Sequence, residues 1–312
     1  MVRDHKPARL SDTELRLLRV FQAVVRNHGF ASAETELGIS PATISNHIAQ
    51  LEQRLGIRLC RRGRAGFSLT DEGARIHEAS LNLFRSVENF SSIVASVRGE
   101  LTGAVHFGTV DAVYSNTILG LQRAIAAFVL QAPRVTLHID IASPQDLRQR
   151  LLDGRYQLIL TPIEDEHPSI KATRLFDETQ VLLCGRKHPL FRVSRRSLSA
   201  EAILACPYAE RSYAKVPPEL GLGQTQTAAL TSHMETLALL ILSGAFVGHL
   251  PEHYAKGWLQ SREMRRIGAE GMSYSSTFRL ASLVSEQNRA AALLQDCVIA
   301  NCDATNHSDP AL

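Results

Sequence analysis

Apolar residues recur at helical spacing through the first part of the chain. Residues 31–55 predict two short helices joined by a tight polar turn, and apolar positions in the second helix repeat at intervals of four, three and four residues. These positions, which share one buried face, are Ile44, Ile48, Leu51 and Leu55. In the turn, Gly38 suits a left-handed helix end, Ser40 an N-cap and Pro41 the first helical position. The pattern predicts a helix-turn-helix.

The opposite face of the second helix is polar. It carries short or forked hydrogen-bonding side chains, which are Thr43, Ser45, Asn46, His47, Gln50 and Arg54. Such side chains can read base edges in a major groove, and a face exposed only to solvent would accept the same set. The small residues Ala31 and Ala33 before the turn favour the first interpretation, because they allow the two helices to cross closely.

The flanking segments predict a further helix and a β-hairpin. Ser11 followed by Glu14 is typical of a capping box at a helix start. Residues 56–70 predict two short strands around a glycine-containing tip that carries Arg61, Arg62 and Arg64. Arginines at such a tip can lie on phosphates or enter a minor groove, and a solvated turn is the alternative.

A long helix is predicted after Thr70, which suits an N-cap before two acidic residues. Its apolar positions follow a heptad pattern at Ile76, Leu83, Phe90 and Val97, with Ser80, Val87 and Val94 filling the second position. We expect a helix with such a seam to dimerise. The alternative is a helix that packs on the second domain.

Beyond the break at residues 99–103 the pattern changes to alternating strands and helices. Strands are predicted at 104–110, 135–141, 157–160, 180–184 and 278–283, and helices at 116–130, 144–152, 235–243 and 287–301. This alternation predicts parallel sheets with crossover helices, in which ligands bind at the carboxyl ends of strands. The length suffices for two lobes with a cleft between them.

Composition and charge narrow the function. The chain has 312 residues, 45% hydrophobic residues and a net charge of +3. Residues 1–70 hold 11 of the 34 Lys and Arg against 6 of the 31 Asp and Glu, so the positive charge lies with the helix-turn-helix. The five cysteines have no CxxC spacing, which indicates neither a disulfide framework nor a zinc site. No signal peptide or membrane span is evident, so we expect a cytoplasmic protein.

Several motifs in order resemble the LysR-type transcriptional regulators over almost the whole chain. They are LRLLRVFQAVVRNHGFASA, GISPATISNHIAQLEQRLGIRLCRR, LTDEG, LDG at Leu152, HPL at His188, and a G-x-x-x-G-x-L-P run ending at Pro251. The resemblance implies an α/β protein with an N-terminal winged helix-turn-helix, a long dimerising linker helix and a two-lobed periplasmic-binding-protein-like effector domain. It implies a transcription factor and not an enzyme.

The resemblance also assigns site residues. Pro41, Ala42, Thr43, Ser45 and Asn46 match the start of the DNA-reading helix, and we expect Gln50 and the arginines Arg61, Arg62 and Arg64 to join them on DNA. The family often has Gln at the position of Pro41 and Arg at that of Asn46, so operator preference is expected to differ.

Effector contacts are expected in three regions of the second part. The residues are Asp111, Ala112, Ser115, Asn116, Thr161, Tyr208, Arg211 and His233. The start of a helix at Asn116 would make an anion site. Asp111 would repel a carboxylate, so a neutral, cationic or metal-bridged effector is at least as plausible, and a plain capping role for Asp111 is the alternative.

The predicted organisation is a DNA-binding domain at 1–70, a linker helix at 71–100, an effector domain at 101–303 and a tail at 304–312. Within the effector domain, lobe I would comprise about 101–178 and 282–303, and lobe II about 179–281. Expected partners are double-stranded promoter DNA, a small-molecule effector and further copies of the chain, as a homodimer or homotetramer, without a membrane. No cofactor is expected, and a metal site using His249 and His253 is disfavoured by the intervening Pro251.

Two other functions remain open from the sequence. One is an α/β solute-binding or enzymatic protein whose N-terminal domain binds a partner protein. The other is an architectural DNA binder with an inactive sensor domain.

Overall fold

A computed structural model describes residues 11–63, 66–163, 167–194, 197–213, 216–220, 227–267 and 272–302. The side chains of residues 62, 63 and 96 are also outside the description. The chain forms two compact units, Met1–Glu88 and Asn89–Leu312. The unit boundary lies inside a helix, whereas the sequence placed the first boundary at residue 70. None of the described helices combines the length and apolarity that crossing a bilayer requires.

The first unit is a winged helix-turn-helix. Its elements are α1 (Asp12–Arg26), α2 (Glu34–Leu37), α3 (Pro41–Leu55), β1 (Cys60–Gly63), β2 (Gly66–Leu69) and the start of α4 (Asp71–Val97). The predicted caps are confirmed: Ser11 and Glu14 form a capping box, Gly38 adopts φ 63°, and the Ser40 side chain accepts a hydrogen bond from the Thr43 N–H. β1 and β2 pair as an antiparallel hairpin.

The core of this unit fixes α3 against its neighbours. Leu17, Phe21, Ile44, Ile48 and Leu51 have no exposed surface, which confirms the predicted buried face. A carboxylate from α3 holds the hairpin, because Oε1 of Glu52 accepts hydrogen bonds from the N–H groups of Leu59 (2.7 Å) and Cys60 (3.1 Å). The position and direction of the wing therefore follow α3.

A hydrogen bond and a steric constraint explain two residues of the LTDEG motif, Thr70 and Gly73. Thr70 caps α4, since its Oγ1 accepts a hydrogen bond of 2.8 Å from the N–H of Gly73. A Cβ atom at Gly73 would lie 2.0 Å from the carbonyl oxygen of Leu59, so a side chain at this position would collide with backbone. Glycine is required here for the close approach of the helix to the strand.

The heptad seam of α4 divides into two parts. Ile76 and Leu83 pack against the core of the first unit, and Ser80 is 3% exposed. The later positions face outward, with exposed fractions of 41% at Val87, 67% at Phe90, 36% at Val94 and 83% at Val97. The expectation of one continuous seam is wrong for its first half, because those residues complete the core of their own domain.

The second unit is an α/β domain. Its elements are β3 (Gly103–Thr109), α5 (Leu121–Gln131), β4 (Val135–Ile141), α6 (Pro144–Leu152), β5 (Leu158–Pro162), β6 (Ile170–Gly185), α7 (Ala200–Leu204), β7 (Tyr208–Arg211), β8 (Thr227–Thr231), α8 (Met234–Leu242), β9 (Val247–Pro251), α9 (Glu252–Gln260), β10 (Met264–Arg266), β11 (Tyr274–Leu283) and α10 (Arg289–Asn301).

The strands form one continuous sheet that serves two lobes. The order is β4-β3-β5-β11-β6-β9-β7-β8, with β10 pairing with β6. In lobe I, β3 is parallel to β4 and β5, as the alternation predicted. In lobe II, β7 is parallel to β8 and β9, three strands that the sequence did not predict. The long antiparallel strands β6 and β11 pass from one lobe to the other.

The crossing strands alter the lobe boundaries. Phe176 packs in the core of lobe I and Val181 in that of lobe II, so β6 crosses between them. On β11, Phe278 and Ala281 belong to the core of lobe I, whereas the sequence placed the return to lobe I at residue 282. The sequence predicted only residues 180–184 of β6 and residues 278–283 of β11. Polar residues in the preceding part of each strand interrupt the apolar pattern.

One helix start differs from its prediction. The helix expected from Asn116 begins at Leu121, after Gly120 in a left-handed conformation with φ 56°. The Asn116 side chain instead closes a turn, since its Oδ1 accepts hydrogen bonds from Ile118 N (3.0 Å) and Leu119 N (3.2 Å). The proposed anion site at a helix beginning at Asn116 is therefore absent from this loop.

Candidate functional site

The reading face of α3 lies at the protein surface. Ala42, Asn46 and Gln50 are exposed, and Pro41, Thr43 and Ser45 are partly exposed. The Ser40 and Thr43 hydroxyls lie 3.0 Å apart, which fixes the first turn of the helix. The six residues expected from the sequence thus share a contiguous, accessible part of the helix.

Arg54, near the end of α3, is about half exposed and binds a side chain of a neighbouring helix. Its guanidinium forms an ion pair with Glu14 of α1, whose side chain is 9% exposed. Hydrogen bonds from the Ser11 side chain and backbone, together with that from Arg54, lower the pKa of Glu14 to about 2. Arg54 therefore joins α3 to α1.

The hairpin presents arginine beside the reading helix within the same unit. Arg61 is exposed and stands opposite Ser68 in the β1–β2 register, and Arg62 stands opposite Phe67. The side chain of Arg62 and the whole of Arg64 lie outside the described residues.

In the second unit, the loop after β3 reaches across to lobe II. The carboxylate of Asp111 accepts a hydrogen bond from the N–H of Met234, the first residue of α8, and one of 3.5 Å from the Tyr213 hydroxyl. A carboxylate at a helix N-terminus is favoured by the unpaired N–H groups and the helix dipole. Asp111 thus has a capping role between the lobes, which is the alternative that the sequence left open.

A second contact between the lobes runs through a histidine. The Ser115 Oγ lies 2.9 Å from Nδ1 of His253, and Nε2 of the same ring lies 2.8 Å from Oε1 of Glu178 on β6. Gln180 extends this series of hydrogen bonds, because its Nε2 donates to Oε2 of Glu178 (2.6 Å) and its Oε1 accepts from Arg211 (3.3 Å). We call these hydrogen-bonded side chains the relay, and it joins lobe I to the end of β7. Its members are Ser115, His253, Glu178, Gln180 and Arg211.

A cavity of about 630 Å³ opens at the end of this relay. Its described lining comes from α6, the end of β5, the crossing part of β6, the segment after β7 and the start of β11. These residues are Pro144, Gln145, Arg148, Gln149, Leu152, Pro162, Ile163, His167, Glu178, Arg211, Tyr213, Pro217, Tyr274, Ser275 and Ser276. A volume in this range accommodates a small organic molecule.

The expected effector residues are distributed unevenly around this cavity. Arg211 lines it, while Asp111 and Ser115 form the contacts between the lobes. Ala112 packs against the core of lobe II with φ 62°, a conformation that is strained for alanine.

The four other expected residues are absent from the described cavity lining. Asn116 and Thr161 are 4% and 0% exposed, and Tyr208 is 3% exposed with its hydroxyl 2.8 Å from Nδ1 of His249. His233 is exposed, and its N–H donates to Thr231 Oγ1 (3.3 Å). Burial or local bonding thus removes them from the described cavity lining.

Known proteins match both units of the chain. The family description "Bacterial regulatory helix-turn-helix protein, lysR family" matches residues 15–74, and "LysR substrate binding domain" matches residues 98–303. The HTH-type transcriptional activator BauR of Pseudomonas aeruginosa is 33% identical over 279 residues, which cover 88% of this chain and 91% of BauR. The chain belongs to the LysR family.

Solved structures of LysR-family proteins share the fold. The crystal structure of CbnR, a LysR family transcriptional regulator, has a TM-score of 0.65 and 16% identity, and covers 92% of this chain and 99% of CbnR. Full-length CbnR in complex with its target DNA gives a TM-score of 0.65 and 17% identity, with the same coverage. Its membership of the LysR family makes this chain a DNA-binding transcriptional regulator with an effector-binding domain.

Sequence reasoning missed several residues of the site in this LysR-family regulator. Arg148, Glu178, Gln180, His253 and Tyr274 were not expected there. The polar run of residues 177–180 between two apolar strand segments was the available signal, because buried polar residues in a strand require partners. The other residues gave no local signal, since the fold brings them to the cavity from distant segments.

Proposed function

We propose that this LysR-family regulator reads operator DNA with the exposed face of α3 and positions itself with the wing. Thr43, Ser45, Asn46 and Gln50 are assigned to bases or adjoining phosphates, Pro41 and Ala42 to the close approach at the helix start, and Arg61, Arg62 and Arg64 to phosphates or a minor groove. The observation that carries the proposal is the division of α3 between three fully buried apolar residues and an accessible polar face with no role in the core.

Binding measurements with single base-pair substitutions test this assignment. Asn46→Ala should reduce discrimination at one base pair by roughly 1–3 kcal/mol, because a bidentate contact to a base edge would be lost. Arg54→Ala is a suitable control, since the guanidinium of Arg54 is engaged by Glu14 within the protein. A uniform loss of affinity across all operator variants would show that Asn46 contacts only the DNA backbone.

We further propose that α4 joins two copies of the chain, as a dimer or as part of a tetramer. The support is the outward-facing apolar stripe formed by Val87, Phe90, Val94 and Val97. Exposed apolar side chains repeated at heptad spacing gain free energy when a second helix covers them. Two reading helices held in this way would match a two-fold operator.

Effector control is proposed to act through the contacts between the lobes. Asp111 and Ser115 of lobe I bind Met234 and His253 of lobe II, so a molecule that enters the cavity beside Arg211 and alters the relay changes the balance between closed and open lobes. The operator is part of the chromosome, so we propose that the regulator acts in the cytoplasm.

The effector proposal is tested on the full chain by measuring operator affinity with and without small molecules that raise its melting temperature. Thermal stabilisation together with a change in operator affinity is the expected result. Stabilisation without any change in DNA binding would contradict effector control. Absence of DNA affinity at low salt would instead favour a solute-binding or enzymatic protein.

A further inference from the structure

The cavity beside the relay holds an arginine that forms no ion pair with another described residue, although the carboxylate of Glu178 acts on it at longer range. Arg211 is 8% exposed, and its Nη2 donates to the neutral amide oxygen of Gln180 at 3.3 Å. Its guanidinium also lies 5.4 Å from the ring centre of Tyr213. Among the described residues, no carboxylate oxygen comes within 4.0 Å of this guanidinium. A buried cation with only neutral partners is costly, and an anion in the adjoining cavity would offset that cost.

A second arginine faces the same space from α6. Nε of Arg148 is inaccessible to solvent and has no hydrogen-bond partner among the described residues. Arg148 lies on the cavity wall with its helix neighbours Gln145 and Gln149, opposite the wall formed by β6, β7 and β11. A buried N–H of this kind normally has a partner, and a ligand oxygen could supply one once the side chain turns toward the cavity.

The acid in the described lining is already engaged. Oε1 of Glu178 is bound by Nε2 of His253, and Oε2 by Nε2 of Gln180. The Ser115 hydroxyl donates to the carbonyl oxygen of Ala112 at 2.9 Å, and its single proton cannot also serve Nδ1 of His253. Both oxygens of Glu178 are thus engaged within the protein.

Hydroxyl donors complete the polar end of the cavity. Burial raises the pKa of Tyr213 and of Tyr274, and this effect exceeds the lowering caused by Arg211. Both phenols therefore remain protonated. The Tyr213 hydroxyl already donates to Asp111 at 3.5 Å, so Tyr274 is the phenol assigned to the ligand. The apolar part of the lining comes from Pro144, Leu152, Pro162, Ile163 and Pro217, and further polar side chains lie beside it, which are Gln145, Gln149, His167, Ser275 and Ser276.

We propose that this cavity binds a small organic carboxylate, with its anionic group between Arg148 and Arg211 and an apolar body against the proline, leucine and isoleucine wall. The proposal rests on the proposed effector function and names the chemical class of the effector. It reverses the expectation drawn from Asp111, because that carboxylate caps α8 and is not among the described lining residues. Arg211 also belongs to the relay, so a bound anion would act directly on the contacts between the lobes.

The test compares matched ligands on the full chain by calorimetric titration. Hexanoate and 3-phenylpropanoate should bind, and each should bind at least tenfold more tightly than its own amide, hexanamide or 3-phenylpropanamide. Hexylamine should not bind. Equal binding of an acid and its amide, binding of hexylamine, or binding of neither acid would overturn the proposal. Tighter binding of 6-aminohexanoate than of hexanoate would also overturn it, because Glu178 would then be free to hold an ammonium group.

Variants locate the site. Arg148→Gln should weaken the binding of both acids at least tenfold, since Arg148 lies on a partly exposed helix face and its removal leaves the core intact. Arg150→Gln is the matched control on the same helix, because Arg150 donates to the Tyr156 hydroxyl at 3.0 Å and is not among the cavity residues. Unchanged affinity in Arg148→Gln would refute the assignment.

DNA binding of the same samples separates this proposal from the proposed function. Acids that bind and change operator affinity support both. Acids that bind in an Arg148-dependent manner without changing operator affinity would support the ligand class and overturn the effector role. Loss of all DNA binding with intact ligand binding would contradict only the DNA-reading function.

Discussion

Acidification should destabilise the effector domain through His249. This residue is 2% exposed on β9, with Nδ1 2.8 Å from the Tyr208 hydroxyl and Nε2 2.8 Å from the carbonyl oxygen of Met272. The rings of Tyr208 and Tyr274 also pack on it, at centroid distances of 5.9 and 5.0 Å. Burial lowers the pKa of His249 from 6.5 to about 4, because the charged imidazolium would lose its hydration.

The sign and size follow from the difference between folded and unfolded protein. The unfolded chain takes up a proton at this histidine near pH 6.5, while the folded chain does so near pH 4. The stability contribution of the neutral residue is therefore fully present above pH 6.5 and is lost as the pH falls to 4. A shift of this size corresponds to about 3 kcal/mol of unfolding free energy, with a slope near 1.4 kcal/mol per pH unit within the window.

Denaturant unfolding of the full chain and of His249→Gln between pH 8 and 4.5 measures this contribution. The single tryptophan, Trp258, lies on α9 and reports unfolding of the effector domain by its fluorescence. The wild-type curve should fall more steeply below pH 6.5 than the variant curve. Burial also lowers the pKa of His188, which is retained in both proteins, so the difference between the curves isolates His249. Parallel curves would refute the reasoning.

Three other predictions concern the DNA-binding unit and α4. Gly73→Ala should destabilise that unit by about 1–3 kcal/mol in thermal unfolding, because its Cβ would lie 2.0 Å from the carbonyl oxygen of Leu59. Arg61→Ala should lower DNA affinity across all sequences and reduce the salt slope by about one, which filter binding at several salt concentrations measures. Phe90→Asp should dissociate the protein into monomers in sedimentation velocity, because the 67% exposed ring lies at the centre of the apolar stripe.

Matched controls make each outcome decisive. Gly29→Ala, with no atom within 4 Å of the added Cβ, should leave stability nearly unchanged, and an equal loss in both glycine variants would contradict the steric argument. Arg54→Ala should leave the salt slope at its wild-type value. If Arg61→Ala and Arg54→Ala had the same salt slope, Arg61 would not contact DNA phosphates. Glu88→Gln should keep the oligomer intact, and a persistent oligomer in Phe90→Asp would exclude the stripe as the interface.

Local sequence predicted the DNA-binding unit well. The capping box at Ser11, the left-handed Gly38 and the Ser40 cap are all confirmed, because each depends on residues within four positions of one another. The parallel strands β3, β4 and β5 of lobe I were predicted for a similar reason, since apolar runs and clean alternation are local signals. Strands β7 to β10 were missed, because they are short or lie next to polar residues that mask their pattern.

By itself, the sequence of this chain determined its family, its helix-turn-helix and the alternation of strands and helices, since these depend on periodicity and on motifs of adjacent residues. Only the tertiary structure decided the chemistry of the cavity. Arg148 of α6, Glu178 of β6 and Arg211 of β7 meet because the crossing strands bring the lobes together, and no spacing along the chain records that contact. The structure likewise decided the role of Asp111, because its carboxylate caps α8 and is not among the described lining residues of the cavity.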